Sequence, residues 1–169
     1  IFMKWSVEEK EAIGIHEVIF DNTNKKDEQW YINTNQSFAF ANDTVTATYG
    51  TAVPKAHADA NATDADGVES TTPGLKTNLI RDLKINVANE LARTDWYIIR
   101  NTEKSTAIPS SISTHRDAVR TKQAAQETQI TNASDTPALE TLYTYVNIAD
   151  EGDPEVYERP LGELPTLEI

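Results

Sequence analysis

The chain contains no cysteine, which excludes disulfides, thiolate metal sites and a thiol nucleophile. That absence fits a reducing compartment, and equally a particle that must later survive outside a cell. No apolar run approaches the ~20 residues of a membrane span, and no basic-then-apolar start has the form of a signal peptide. Both absences predict a soluble protein with no membrane partner. Positive charge is scarce as well: 15 Lys and Arg stand against 27 Asp and Glu, for a net charge of −12. Nucleic-acid binding needs a basic patch to neutralise phosphates, and none is visible, so no nucleic-acid partner is expected. The first residue is Ile1 rather than Met, which predicts an N-terminus that was trimmed, cut or left unobserved.

Chemical signatures are missing too. There is no Gly-x-Ser-x-Gly elbow, Walker loop or dinucleotide fingerprint. His16, His57 and His115 lie far apart in the chain and have no metal-ligand spacing, so each reads as structural or solvated. Asp64-Ala65-Asp66-Gly67 matches the middle of a calcium loop, but the first and twelfth positions would be Ala62 and Pro73, which bring no carboxylate. Asn35, Asn42, Asn61 and Asn132 each begin an Asn-x-Ser/Thr triplet, which chance explains in a chain so rich in Asn and Thr. No catalytic residue, metal or cofactor is expected, and the chain does not read as an enzyme.

What is present is a scaffold. The 169 residues, 38% of them hydrophobic, suffice for one domain or two small ones with a real core. Leu75, Leu79, Leu83, Val87 and Leu91 recur at every fourth position, with Ile80 on the same side. They predict a helix over 75–93 whose apolar face spans roughly 160°. Ile85 points away from that face. Charge is unevenly spread: residues 1–72 carry 5 basic and 12 acidic side chains, 73–146 carry 9 and 8, and 147–169 carry 1 and 7. A nearly neutral middle is thus flanked by two acidic ends, which are either simply solvated or face a basic protein partner.

Before the long helix, Ser6-Val7-Glu8-Glu9 has the form of a capping box and predicts a short helix stopped by Gly14. Strands are expected over 15–20, 30–32, 36–40 and 44–49, with polar turns at 21–28, 33–35 and 42–43. This is a small, mostly antiparallel sheet over 1–53. Residues 54–74, rich in Ala, Asp, Thr and Ser, read as a flexible acidic linker.

After the long helix, residues 96–100 (Trp-Tyr-Ile-Ile-Arg) read as extended. A second helix is expected over 112–132. Its seam of Ile112, Arg116, Val119, Gln123, Gln126 and Ile130 follows coiled-coil spacing, and half of these positions are polar. Either this helix lies on the first with its polar side half exposed, or Gln123 and Gln126 face equivalent residues of other subunits. A third helix starts at Asp135 or Thr136 with Pro137 in its first turn, presenting Leu139, Leu142, Tyr143 and Val146 on one face. Residues 147–169 read as an extended acidic tail that Leu161, Leu164 and Leu167 could anchor. The fold class is therefore α+β: a sheet module, a linker, and a three-helix unit over 75–146.

One resemblance goes further. Thr94-Asp95-Trp96-Tyr97-Ile98-Ile99-Arg100, then Ala107-Ile108-Pro109, then His115-Arg116-Asp117-Ala118-Val119-Arg120 resembles a pattern of tailed-bacteriophage tail proteins. There an Asp-Trp pair is followed by Pro and a helix of the type Tyr-Arg-x-x-Leu-Arg. It is similar to the C-terminal part of tail-fibre assembly chaperones and related virion tail proteins, with His115 in place of Tyr and Val119 in place of Leu. Residues 17–24, 30–38 and 44–52 resemble the front of small tail-associated proteins of marine phages. The resemblance implies a structural component of a phage tail, baseplate or fibre attachment. Its partners would be other tail proteins and further copies of itself in a symmetric assembly, located in the virion tail and, during assembly, in the host cytoplasm. It equally implies a tail-fibre assembly chaperone that leaves before the particle is complete. Leu83, Val87, Leu91, Trp96, Tyr97, Arg116, Val119, Arg120, Gln123 and Gln126 are the expected packing and interaction residues. If Trp96 locks the first two helices together, Trp96→Ala should cost about 3–5 kcal/mol.

Overall fold

The computed structural model describes residues 4–167, so Ile1 lies outside the described residues. The class is α+β, with small sheets in the N-terminal half and helices in the C-terminal half. The chain forms two compact units, Ile1–Lys55 and Ala56–Ile169.

The first unit opens with α1 (Val7–Glu11), whose complete capping box pairs the Ser6 side chain with the Glu9 amide and the Glu9 carboxylate with the Ser6 amide. Strands β1 (Val18–Asp21), β2 (Tyr31–Ile32), β3 (Ser37–Ala41), β4 (Thr44–Thr48) and β5 (Val53–Pro54) follow. β1, β4 and β3 make one sheet in that order, and β2 pairs with β5. The hairpin β3–β4 is antiparallel and turns on Asn42 and Asp43, both at positive φ, the geometry of a two-residue primed turn. β1 runs parallel to β4, so the sheet is mixed, and the expected strand at 30–32 sits outside it. Trp30, Tyr31, Ala47 and Ala52 form this unit's small core.

The second unit corrects the linker over 54–74. That segment holds an antiparallel hairpin of β6 (Ala60–Thr63) and β7 (Glu69–Thr72), turned on Asp64, whose carboxylate accepts from the amides of Asp66 and Val68. The hairpin base is tied to the long helix α2 (Leu75–Ala92). The N-cap of α2 is Gly74, which has no side chain to cap with. Instead Asp59 Oδ1 accepts from the Gly74 amide at 2.8 Å and from Thr77 Oγ1 at 2.7 Å. Leu75 and Lys76 donate their amides to the carbonyls of Ala56 and His57. A Cβ at position 74 would lie 2.3 Å from the Ala58 carbonyl oxygen, so only glycine fits. Chain folding rather than local composition therefore orders this polar segment.

After α2 the chain turns at Thr94, and residues 96–100 are helical, not extended, within α3 (Asp95–Lys104). Aromatic and β-branched residues favour strands only weakly. Here Asp95 in the first turn and Lys104 in the last complement the helix dipole, and Ser105 closes the helix in the left-handed region. α4 (Ser110–Asn132) packs along α2, and α5 (Thr136–Tyr143) is capped by Asp135 with Pro137 in its first turn. The helical unit therefore has four helices, not three. The tail is also ordered: β8 (Val146–Asn147) pairs with β9 (Tyr157–Glu158), and Leu161 is buried.

Candidate functional site

The residues singled out in the sequence converge on the α2–α4 contact. Leu83 and Val87 of α2 and Ile112, Val119 and Ile130 of α4 are buried there, as their spacing predicts. At one end Arg116 joins the Thr94-Asp95 turn to the start of α4. Its Nη1 donates to the Leu91 carbonyl at 2.8 Å, Thr94 Oγ1 at 2.7 Å and Asp95 Oδ1 at 2.8 Å. Thr94 is buried and its hydroxyl also donates to the Leu91 carbonyl. The Asp-Trp and His-Arg segments thus form a clasp between the end of α2 and the start of α4.

Beside that clasp, Glu90 Oε1 lies 3.0 Å from His115 Nε2, an electrostatic contact directed off the ring's hydrogen-bonding axis. Arg93 holds the same carboxylate at 2.9 Å. Burial pushes the Glu90 carboxyl up, but the Arg93 hydrogen bond and the charges of Arg93 and His115 outweigh it and hold the group below its ordinary range.

The polar seam serves the chain itself. Gln126, 2% exposed, donates its amide to the carbonyls of Gly162 at 2.8 Å and Leu161 at 3.3 Å. Gln123 donates to Glu127. For Gln126 the expected contact with another subunit is corrected: its position is filled by the tail, since a buried amide donor needs a partner and the turn at Leu161 supplies one. Leu161 returns an amide to the Leu142 carbonyl. Arg159 lies over the rings of Tyr143 and Tyr145, 5.4 Å from each centroid, and donates to Glu163 at 2.7 Å. Tyr145 donates its hydroxyl to Glu163, which raises its pKa above the ordinary range. This tail is pinned from within, with Leu161 as one of its anchors.

Trp96 and Arg120 fall outside the core. Trp96 is 51% exposed, stacks on Tyr97 with centroids 4.5 Å apart, and carries Arg100 over its ring. A half-exposed ring cannot lock two helices, so the expected 3–5 kcal/mol cost is withdrawn. Arg120 is exposed and reaches only Asp117, at 3.4 Å.

A second surface is one that sequence reasoning passed over. The register puts Phe20, Ala47 and Phe38 in one row across β1, β4 and β3, and Val18, Val45 and Phe40 in the next. One face of this sheet is therefore apolar throughout. Phe20, Phe38 and Phe40 are 59%, 63% and 59% exposed. Aromatic side chains present about 150–250 Å² each, so the three rings expose roughly 300–400 Å², the size of patch that marks interaction sites. His16 flanks it, its ring 4.5 Å from that of Phe40 and its Nδ1 3.1 Å from the Asp43 carbonyl oxygen. The signal was legible as the period-two spacing of Phe38 and Phe40.

Among the described residues no group of three or more His, Asp or Glu side chains is placed to hold a metal ion. None of the described helices is long and apolar enough to cross a membrane. No family model, curated protein or solved structure matches the chain.

Proposed function

We propose that this protein works by assembly, as a structural component of a phage tail, baseplate or fibre attachment that docks on neighbouring tail proteins and on copies of itself. The observation that carries the docking half of this reading is the open apolar face of Phe20, Phe38 and Phe40. A face of this kind loses water on contact and gains stability in proportion to the area covered. The phage assignment comes from the Asp95-Trp96 to Arg116 pattern. The clasp at Arg116 explains why such a pattern joins residues so distant in sequence: it fixes the turn between two helices. The acidic charge of the chain opposes non-specific association, while the uncharged face remains available to a partner.

The second reading is a tail-fibre assembly chaperone. It is favoured by α3, where Trp96 and Ile99 stay exposed beside Arg100, Glu103 and Lys104 around a shallow depression, a mixed apolar and charged surface on which a segment of another chain could rest for a time.

Quantitative mass spectrometry of purified infectious particles separates the two. A structural component is expected at a fixed multiple of a known tail protein. Abundance in the lysate with absence from particles would replace the structural reading with the chaperone.

A further inference from the structure

We infer that two copies of this chain pair through the outer edge of β3, with Ala39 on the two-fold axis, to make one continuous six-stranded sheet. The inference deepens the assembly reading and rests on it for the role of the surface, while the pairing itself stands on edge geometry. Among the described residues β3 has a strand neighbour on one side only. The hydrogen-bonding direction of each residue follows from β4. Val45 donates its amide toward the β1 side, to the Glu17 carbonyl, so Thr44 and Thr46 address β3, opposite Ala41 and Ala39. Alternation along the strand then turns the N–H and C=O of Phe38 and Phe40 toward the open edge.

Such an edge is a template for another strand, and proteins usually blunt it with charge, proline or a bulge. β3 has none of these: residues 29–41 include no charged side chain and no proline. β1, by contrast, is preceded by Glu17 and ends in Asp21. A second copy of the same strand is the occupant that fits. Run antiparallel about Ala39, Phe38 of one copy lies opposite Phe40 of the other, twice, with both backbone pairs hydrogen-bonded. The two-fold axis stands perpendicular to the sheet, so both apolar faces end on the same side, and the aromatic rings meet across the strands. In a chain of net charge −12, this uncharged stretch lets two copies meet without like charges face to face. The pairing joins the two phenylalanine faces into one continuous apolar surface, and only the seam-facing sides of Phe38 and Phe40 are covered by it.

The test uses the full chain. Sedimentation equilibrium is expected to give twice the chain mass at tens of micromolar, with Phe40→Lys at least tenfold weaker in self-association and unchanged in its far-ultraviolet circular dichroism. Because the chain lacks cysteine, a single introduced thiol reports position. Ala39→Cys would meet its own copy across a non-hydrogen-bonded pair, about 4.5 Å between Cα atoms, within disulfide reach. Ala41→Cys would stand about 13 Å from its copy. Mild oxidation is expected to link Ala39→Cys and leave Ala41→Cys monomeric. A monomer at all concentrations, or linking that is equal at both positions, overturns the pairing. If that happens while the protein still appears at fixed stoichiometry in particles, the pairing alone fails and the assembly reading stands.

Discussion

The largest of the almost fully buried side chains, Ile130, Leu139, Gln126 and Val119, all belong to the helical unit, whereas the sheet unit leaves three phenylalanines exposed and buries Trp30, Tyr31, Ala47 and Ala52. Within the helical unit, Arg116 and the Gln126 amide nitrogen find their hydrogen-bond acceptors in the same unit. The helical unit thus carries the deeper core, and the sheet unit carries the open phenylalanine face. Stability and recognition are assigned to different parts of one chain. A mutation that costs stability in the first is expected to be silent in the second, and the reverse should hold for assembly.

The largest test of that contrast is Leu139→Ala. A fully buried leucine leaves a cavity, and denaturant unfolding should show a loss of about 3–5 kcal/mol, whereas Phe38→Ala should change the midpoint by less than about 1 kcal/mol. Equal losses would erase the distinction between the units. Next comes Arg116→Met, which keeps the apolar stem and deletes the clasp. Leaving the buried Thr94 hydroxyl oxygen without its donor should cost about 1–3 kcal/mol. Asp95→Asn, at the exposed end of the same clasp, should cost under about 1 kcal/mol.

Gly74→Ala ranks third. A Cβ cannot stand 2.3 Å from the Ala58 carbonyl without moving the hairpin base, and a loss of about 1–3 kcal/mol is expected in the same assay. The smallest effect is acid sensitivity. The Gly74 amide and Thr77 hydroxyl hold the Asp59 carboxyl below its ordinary range. A carboxyl whose folded pKa is depressed stabilises the fold above its unfolded pKa and loses that contribution as pH falls through the folded value. Asp59→Asn should therefore flatten the decline in melting temperature below about pH 4, a change read by calorimetry across a pH series.

Much of the helical unit was legible because its apolar residues obey a single period. Leu83, Val87, Val119 and Ile130 could be assigned to a core from spacing alone, as could Asp135 and Pro137 to a helix start. Polar residues were harder. Gln126 reads as an oligomer contact when only its helix is in view, because its partners at Leu161 and Gly162 lie more than thirty residues away in sequence. Residues 96–100 were misjudged for a local reason: aromatic and β-branched side chains lean toward strands, yet the turn set by Thr94 and Arg116 decides the outcome. The hairpin over 60–72 failed the same way, since composition says nothing of the anchor at Asp59. The open sheet face was present in the alternation of β3. It became a surface only once the register showed Phe20 and Val18 on the same side.

That hairpin has a practical consequence. Its base is held by Asp59 and Gly74, while every residue from 58 to 73 is exposed, and its tip at Asp64–Val68 has only its own turn to maintain. Sequence inserted at such a tip burdens neither core. A peptide epitope or fluorophore-binding tag placed after Asp66 would mark the protein during assembly, while leaving both the Arg116 clasp and the phenylalanine face as they are.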